Sequence, residues 1–269
     1  FTFVTPATDA GNTRWPYRAF AHDDDQGRRL EALQFSHQPS PWIGDRGVVQ
    51  LLPLRAGEKD PRRSWIEPGS EHAHPHRYEA VLDDGIRVEM TATDHVGIFR
   101  VSCEDCGWLV RPALGEDGTP AGSVSIRADG RIEGWVLEGH SSWGNPPRTF
   151  FAGVLTPIEG GALTVGEERA TASGGIEARV AISFISVDAA EHSLELEAPP
   201  EVDFSALVQR SADAWNPLLS AVALPVLPEG ERATRGLADA HHRQDIASAL
   251  YRMRLYPNRT AENAGTNEA

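Results

Sequence analysis

A chain of 269 residues with 40% apolar side chains is larger than one typical compact unit and rich enough for a real core, in one large domain or two. Its 25 basic against 39 acidic side chains give a formal charge of −14, which repels phosphate backbones and anionic bilayers, so nucleic acid is excluded as an expected partner. No run of about 18 apolar residues occurs, and no membrane-spanning helix is expected.

The chain opens on Phe1-Thr2-Phe3-Val4 with no initiator Met, basic n-region or A-x-A site, and reads as a mature or internal segment. Lys59 is the only lysine, so nearly all positive charge is Arg, a compositional bias and not a site. Asp23-Asp24-Asp25 lacks the spaced ligand order of a calcium loop and reads as a solvated turn. The first informative motif is His37-Gln38-Pro39-Ser40-Pro41-Trp42-Ile43-Gly44-Asp45. Its two prolines hold φ near about −65° and push the residues before them toward extended geometry, which presents Trp42 on a stiff segment. A flat indole held this way can stack on the apolar face of a pyranose, while His37, Gln38 and Asp45 offer groups for hydroxyls. A Pro-rich surface turn carrying a core Trp is the alternative reading.

Short alternating runs separated by turn chemistry then continue to about Glu197, the pattern of an all-β unit. Strands are predicted at 48–52, 77–82, 86–93, 96–102, 123–128, 132–138, 150–156, 161–165 and 177–186. Asp83-Asp84-Gly85 reads as a hairpin turn, and further turns fall at Ala128-Asp129-Gly130 and Ser173-Gly174-Gly175. So many antiparallel strands point to a sandwich of two large sheets. Between these runs, His72, His74 and His76 could line a strand face as metal ligands, but Pro75 interrupts the run and a solvated loop is expected. Cys103 and Cys106 form a lone C-x-x-C, half of a zinc site with no second half, and read as a local disulfide or two ordinary thiols. Ser141-Ser142-Trp143-Gly144-Asn145 is not a nucleophile elbow, and Glu167-Glu168 is an ordinary surface pair.

The periodicity changes after Pro199-Pro200. Phe204, Leu207, Val208, Ala212 and Trp215 fall at helical spacing, and Pro217 is expected to bound that helix. A second helix is predicted from about Arg232 to Leu255, bounded by Pro257, with His241-His242 and Asp239 and Asp245 on its polar face. The tail from Asn258 to Ala269 is polar and has no core of its own.

Several blocks, in order, resemble the N-terminal region of the glycoside hydrolase family 92 exo-acting α-mannosidases. They are residues 35–45, the run from Tyr78 to Phe99, residues 182–190, Asp213-Ala214-Trp215-Asn216-Pro217-Leu218-Leu219, and residues 249–258. The first and last are the specific ones, and the match spans most of the chain. The resemblance implies a mainly β chain: an antiparallel β-sandwich over residues 1–199, a helical linker over 200–230, and over 231–269 the first helix of a truncated (α/α)6 catalytic barrel. It implies single-displacement hydrolysis with inversion, in which one carboxylic acid protonates the leaving oxygen and a second carboxylate activates water.

A calcium ion that contacts mannose hydroxyls is implied as well, with its ligands and the catalytic acid and base outside this segment. The partners implied are mannose-containing glycans and the remainder of the chain's own catalytic domain, in an extracellular or cell-surface setting. Within this chain the resemblance assigns substrate-binding roles to Trp42, Asp45, His37, Gln38 and Ser36, with Trp15 on the same surface. Glu262 and Asn263 sit where many relatives carry an Asp-x-Asp-Gly segment that binds the terminal mannose, and they depart from that text. Linkage remains open among α-1,2 and related mannosides and mannosyl-1-phospho-6-mannose diesters. The alternative is a stand-alone carbohydrate-binding sandwich without catalysis.

Overall fold

The computed structural model describes residues 2–9, 17, 28–37, 48–59, 64–114, 120–137, 147–221, 244–255 and 261–262, and two antiparallel sheets account for most of them. The six-stranded sheet runs in the order β1 (Phe3–Ala7), β3 (Ala32–Ser36), β4 (Val49–Arg55), β10 (Asp105–Pro112), β15 (Arg169–Ser173), β14 (Thr164–Gly166). The eight-stranded sheet runs β11 (Gly122–Ile126), β12 (Arg131–Leu137), β13 (Arg148–Pro157), β16 (Ile176–Ser183), β9 (Val96–Ser102), β8 (Arg87–Ala92), β7 (Arg77–Val81), β6 (His72–His74). A short ribbon pairs β2 (Arg29–Leu30) with β5 (Ser64–Trp65). The sandwich expected from the alternating runs is therefore present.

The core lies between the two large sheets, where every second side chain points inward. Phe35 on β3 meets Phe99 on β9 edge to face, with ring centroids 6.1 Å apart and planes at 75°. Gly97 lets that contact form, because a Cβ there would come within 2.7 Å of the Phe35 ring. Trp108 on β10 is fully buried and donates its indole N–H to the Ile176 carbonyl on β16 at 3.3 Å, which ties the sheets together without leaving a buried donor unpaired. At the turn before β16, Gly175 has φ +103° and a Cβ there would lie 2.0 Å from the Val101 carbonyl oxygen, so no other residue fits.

The stretch to residue 197 is not β throughout, which corrects the all-β expectation. Residues 187–197 form α1 (Val187–Glu197), started by Ser186, whose side chain accepts a hydrogen bond from the Ala189 N–H at 3.1 Å, with Asp188 in the positively polarised first turn. The second helix, α2 (Phe204–Leu219), starts in the same way at Asp203, whose carboxylate accepts from the Ala206 N–H at 2.7 Å. Pro217 does not end it: the proline sits in the last turn, where the helix has little left to lose, and the chain stays helical to Leu219. Residues 244–254 are helical, within the second predicted helix, whose first part lies outside the described residues.

A second correction concerns the histidines. His72–His74 form strand β6, paired with β7 in the register His72↔Glu79 and His74↔Arg77. Pro75 does not interrupt the pairing because it occupies the two-residue turn, where no ladder donor is needed.

Both helices cover the outer face of the eight-stranded sheet. Val96, Ile98, Ala152 and Ala181 from the strands pack there against Ala190, Ala198, Phe204 and Leu207, a second core that leaves all eight residues of β16 buried. Arg179 on β16 fastens this layer. Its guanidinium donates to the carbonyls of Ala198 at 2.9 Å, Pro199 at 2.5 Å and Val202 at 2.7 Å, and to Glu177 at 2.7 Å. Arg100 on β9 donates to the other Glu177 oxygen at 2.7 Å and stacks over the Phe204 ring at 4.3 Å. The Arg179 and Glu177 side chains are only 9% and 8% exposed, so removing Arg179 leaves Glu177 to Arg100 alone and takes the donor from three carbonyls. Arg179→Met should therefore lower unfolding stability by about 3–5 kcal/mol in urea titration, with the loss in midpoint rather than slope.

Candidate functional site

The last residues of β3 and β16 emerge at one end of the sandwich, and there two regions far apart in sequence meet. Ser36 and His37, which close β3, are both buried. The His37 ring packs edge-on against Phe184, with centroids 4.4 Å apart and planes at 85°. Phe184 follows directly on β16, and its backbone N–H donates to Glu262 Oε1 at 2.8 Å. The other oxygen, Oε2, accepts from the Ser183 hydroxyl at 2.5 Å. That hydroxyl in turn accepts from the N–H groups of Ile185 at 2.9 Å and Ser186 at 3.3 Å, which leaves its single proton directed at the carboxylate. The structure thus brings His37 and Glu262 onto the same residue, one against the Phe184 ring and the other on its backbone N–H.

Ala261, just before Glu262 in the chain, is held from the neighbouring strand, since β9 pairs with β16 in the register Val96↔Ala181. His95, in the turn before β9, places Nε2 3.0 Å from the Ala261 carbonyl oxygen and Nδ1 against Glu197 Oε1. Glu197 is the last residue of α1, and its Oε2 accepts from the Thr93 hydroxyl at 2.6 Å and the His95 N–H at 2.8 Å. Both ring nitrogens of His95 face acceptors, the arrangement that suits the imidazolium. Burial works against that charge, but the Glu197 hydrogen bond, the Ala261 carbonyl and the charges of Glu197 and Asp94 together outweigh it, so the His95 pKa lies above its usual 6.5. Burial likewise opposes the Glu197 carboxylate, and the bonds from His95 and Thr93 overcome it, so that carboxyl lies below its usual 4.5.

Of the residues expected to bind sugar, Ser36, His37 and Glu262 are described, and they lie at this one end. Trp42, Asp45, Gln38, Trp15 and Asn263 lie outside the described residues. His95, Glu197, Ser183 and Phe184 carry no functional signature in the sequence; Ser183 and Phe184 fall within one of the resembling blocks, and nothing links positions 95, 197 and 261.

Beside this clamp of Glu197 and His95 on Ala261, a cleft of about 640 Å³ opens between β7, β8, α2 and the helical residues 244–254. Thr93, Asp94 and Glu197 reach it from the clamp, and Arg210, Trp215 and Tyr251 line its far side. Trp215 and Tyr251 pack with centroids 5.0 Å apart, and burial raises the Tyr251 phenol pKa. His74 and His76 stack at 5.6 Å beside a cavity of about 370 Å³, and burial, then His74 and Arg77, lower the His76 pKa. Among the described residues no group of three or more His, Cys, Asp or Glu side chains could hold a metal ion, and the resemblance puts the calcium ligands outside this segment.

Cys103 and Cys106 are free thiols. Cys106 is buried in the inter-sheet core, where burial and then the Cys103 hydrogen bond push its thiol up, and Arg55 donates to Cys103 Sγ at 3.7 Å. They are the ordinary thiols of the sequence reading. Among the described residues no helix is long and apolar enough to cross a membrane.

Comparison with known proteins gives a consistent result. The Glycosyl hydrolase family 92 N-terminal domain matches residues 1–189. Among solved structures, the chain is similar to the family GH92 inverting mannosidase of Bacteroides thetaiotaomicron VPI-5482, with a TM-score of 0.72 and 21% identity over 96% of this chain and 35% of that one. A family GH92 α-mannosidase of Bacteroides thetaiotaomicron aligns with a TM-score of 0.59 and 17% identity over 84% of this chain and 35% of its own. The gh92 family glycosyl hydrolase ccman5 aligns with a TM-score of 0.65 and 16% identity over 98% of this chain and 38% of its own. At these identities the structural likeness speaks for the fold, and the chain spans little more than a third of the length of these proteins. No curated protein sequence matches.

The clamp gives stability a pH signature. His95, raised in the folded state, contributes fully below its unfolded pKa of 6.5 and loses that contribution as pH rises through its folded value. Glu197, lowered, contributes above its unfolded 4.5 and loses it as pH falls through its folded value. The stability difference between the wild type and His95→Gln should therefore be largest between 4.5 and 6.5 and shrink on either side, as measured by urea unfolding across pH. A difference independent of pH would refute the charged pair.

Proposed function

We propose, from the premise that the chain belongs to glycosyl hydrolase family 92 through its N-terminal domain, that it is the sandwich part of an inverting exo-α-mannosidase acting on terminal α-mannosides. The observation that carries this reading is the meeting of His37 and Glu262 at Phe184. His37 comes from the first block of the resemblance and Glu262 from the tail just after its last block, and a sugar pocket shared between two domains needs such a junction. The stiff segment that continues from His37 supplies Trp42 as a stacking wall, with Asp45 and Gln38 for hydroxyls and Trp15 on the same surface. Asn263 continues the pocket on the other side. The substrates are mannose-containing glycans with α-1,2 or related linkages, or mannosyl-1-phospho-6-mannose diesters. The setting is extracellular or at the cell surface.

In this reading the chain's work is binding and orientation. Fixing a sugar ring in a near-attack pose lowers the barrier before any proton moves, and preorganised walls do that without chemistry of their own. The acid, the base and the calcium ligands belong to the helical catalytic domain, and no step is assigned to the residues described here. Calcium, when bound there, would contact mannose hydroxyls through hard oxygen ligands.

The assay is hydrolysis of an aryl α-mannoside, with the anomer formed followed by NMR. The 269-residue chain alone should be inactive, and the same chain joined to its catalytic barrel should release β-mannose first, as inversion demands. Activity in the chain alone, or release of α-mannose first, contradicts the proposal. In the joined protein, Trp42→Ala should lower kcat/KM by about tenfold, the loss of a stacking contact of about 1.4 kcal/mol. An unchanged kcat/KM removes Trp42 from the pocket.

A further inference from the structure

Ala261 and Glu262 are held at two points on the sandwich by hydrogen bonds that bridge 166 and 79 positions of sequence. We infer that Glu262 is an anchor and not a sugar ligand, and that with the His95 and Glu197 pair it forms a clasp that positions the chain leading into Asn263-Ala264-Gly265. The functional half of this inference rests on the family 92 reading, whereas the clasp itself stands on geometry alone.

A carboxylate that reads sugar hydroxyls must offer its oxygens to the ligand. Those of Glu262 each already accept from the protein, one from the Phe184 amide and one from the Ser183 hydroxyl. The Ser183 hydroxyl is built for the purpose. With two backbone N–H groups donating to its oxygen, its proton has one direction left, and Glu262 lies there. A ligand hydroxyl would have to displace a short charge-assisted bond or use the one lone pair left on an oxygen whose direction the protein already fixes.

The second point of the clasp is as directed as the first. The Ala261 carbonyl accepts from His95, whose other ring nitrogen is committed to Glu197, so the imidazole cannot turn away without breaking the ion pair. Glu197 is fixed in turn by Thr93 and by the His95 N–H. Among the described residues the charged groups around His95 are Glu197 from α1 and Asp94 in its own turn, and both favour the imidazolium that donates to Ala261. Two adjacent residues held at separate elements leave the dipeptide little freedom to rotate, so whatever follows Glu262 starts from a defined direction.

The test uses the 269-residue chain and backbone amide hydrogen exchange. In Glu262→Ala, exchange at the Phe184 amide should quicken by about tenfold or more, with the β13 and β16 ladder amides unchanged. In His95→Gln the Phe184 amide should also quicken, because the clasp has lost its other point. Unchanged protection of Phe184 in Glu262→Ala overturns the inference. If Glu262→Ala quickens exchange throughout the ladder as well, Glu262→Gln decides, since it keeps an acceptor for the Phe184 amide. Protection retained in the Gln variant and lost in the Ala variant supports the clasp, and equal loss in both overturns it. A further overturning result is weaker binding of methyl α-mannoside in Glu262→Gln with Phe184 protection intact, which would make Glu262 a ligand. Activity is not among these readouts, so the clasp and the mannosidase reading can fail separately.

Discussion

A buried guanidinium in the eight-stranded sheet governs where the end of α1, and with it the His95 and Glu197 pair, lies. Arg179 cannot be solvated, because helices cover the outer face of β16, so its N–H groups must find protein acceptors. It finds them in Glu177 and in the carbonyls of Ala198, Pro199 and Val202, three of the residues in the link between α1 and α2. A link pinned by its own backbone has little freedom, and so neither has the C-terminal end of α1. Glu197 is the residue just before the first of those carbonyls, and its carboxylate is thereby delivered to the turn that carries Thr93 and His95. The dependence runs from sheet to guanidinium, from guanidinium to helix end, and from helix end to the imidazole that holds Ala261.

That chain of dependence explains why the sandwich has a third layer. A two-sheet sandwich would leave the outer face of β16 and β9 in water, and neither Arg179 nor Glu177 would need a structured partner. With the second core of Val96, Ile98, Ala152, Ala181 and Phe204 in place, the same groups become obligatory hydrogen-bonding partners. A buried ion pair is a poor source of net stability, but its directionality selects one arrangement of the covering elements. Specificity of placement is what a site shared between sequence-distant segments requires.

Much of the β architecture is legible in the sequence because alternation is strong wherever large apolar residues fill one face, as at Val88 and Met90 on β8 or Phe99 and Val101 on β9. It fades where the inward residues are small or the strand is irregular. β15 turns Ala170 and Ala172 inward, β1 carries a proline, and β10 is interrupted by Gly107, so none of the three announces itself. The helix α1 is hidden for a different reason: its buried positions are Ala190 and Ser193, too small and too few to raise an amphipathic signal above its charged residues. At the site, local text pointed to His37 and Glu262, but their meeting at Phe184 is a tertiary fact. The His95 and Glu197 pair was not legible at all, because a lone His and a lone Glu separated by 102 positions carry no spacing rule.

The chemistry of the clasp follows from the tail it holds. Thr260-Ala261-Glu262-Asn263 has no large apolar side chain, so burial of surface cannot dock it. Ordering two residues costs about 2–4 kcal/mol in backbone entropy, and among the described residues the groups that offset it are the Ala261 carbonyl and the Glu262 carboxylate. Neutral hydrogen bonds of about 1 kcal/mol each would fall near or below that cost, whereas bonds involving charged groups contribute about 1.5–3 kcal/mol each. Three such bonds, from His95 to Ala261 and from Ser183 and Phe184 to Glu262, exceed it. A charged imidazole and a carboxylate are therefore what a polar segment needs in order to sit still against a sandwich, and the surplus shrinks when either loses its charge.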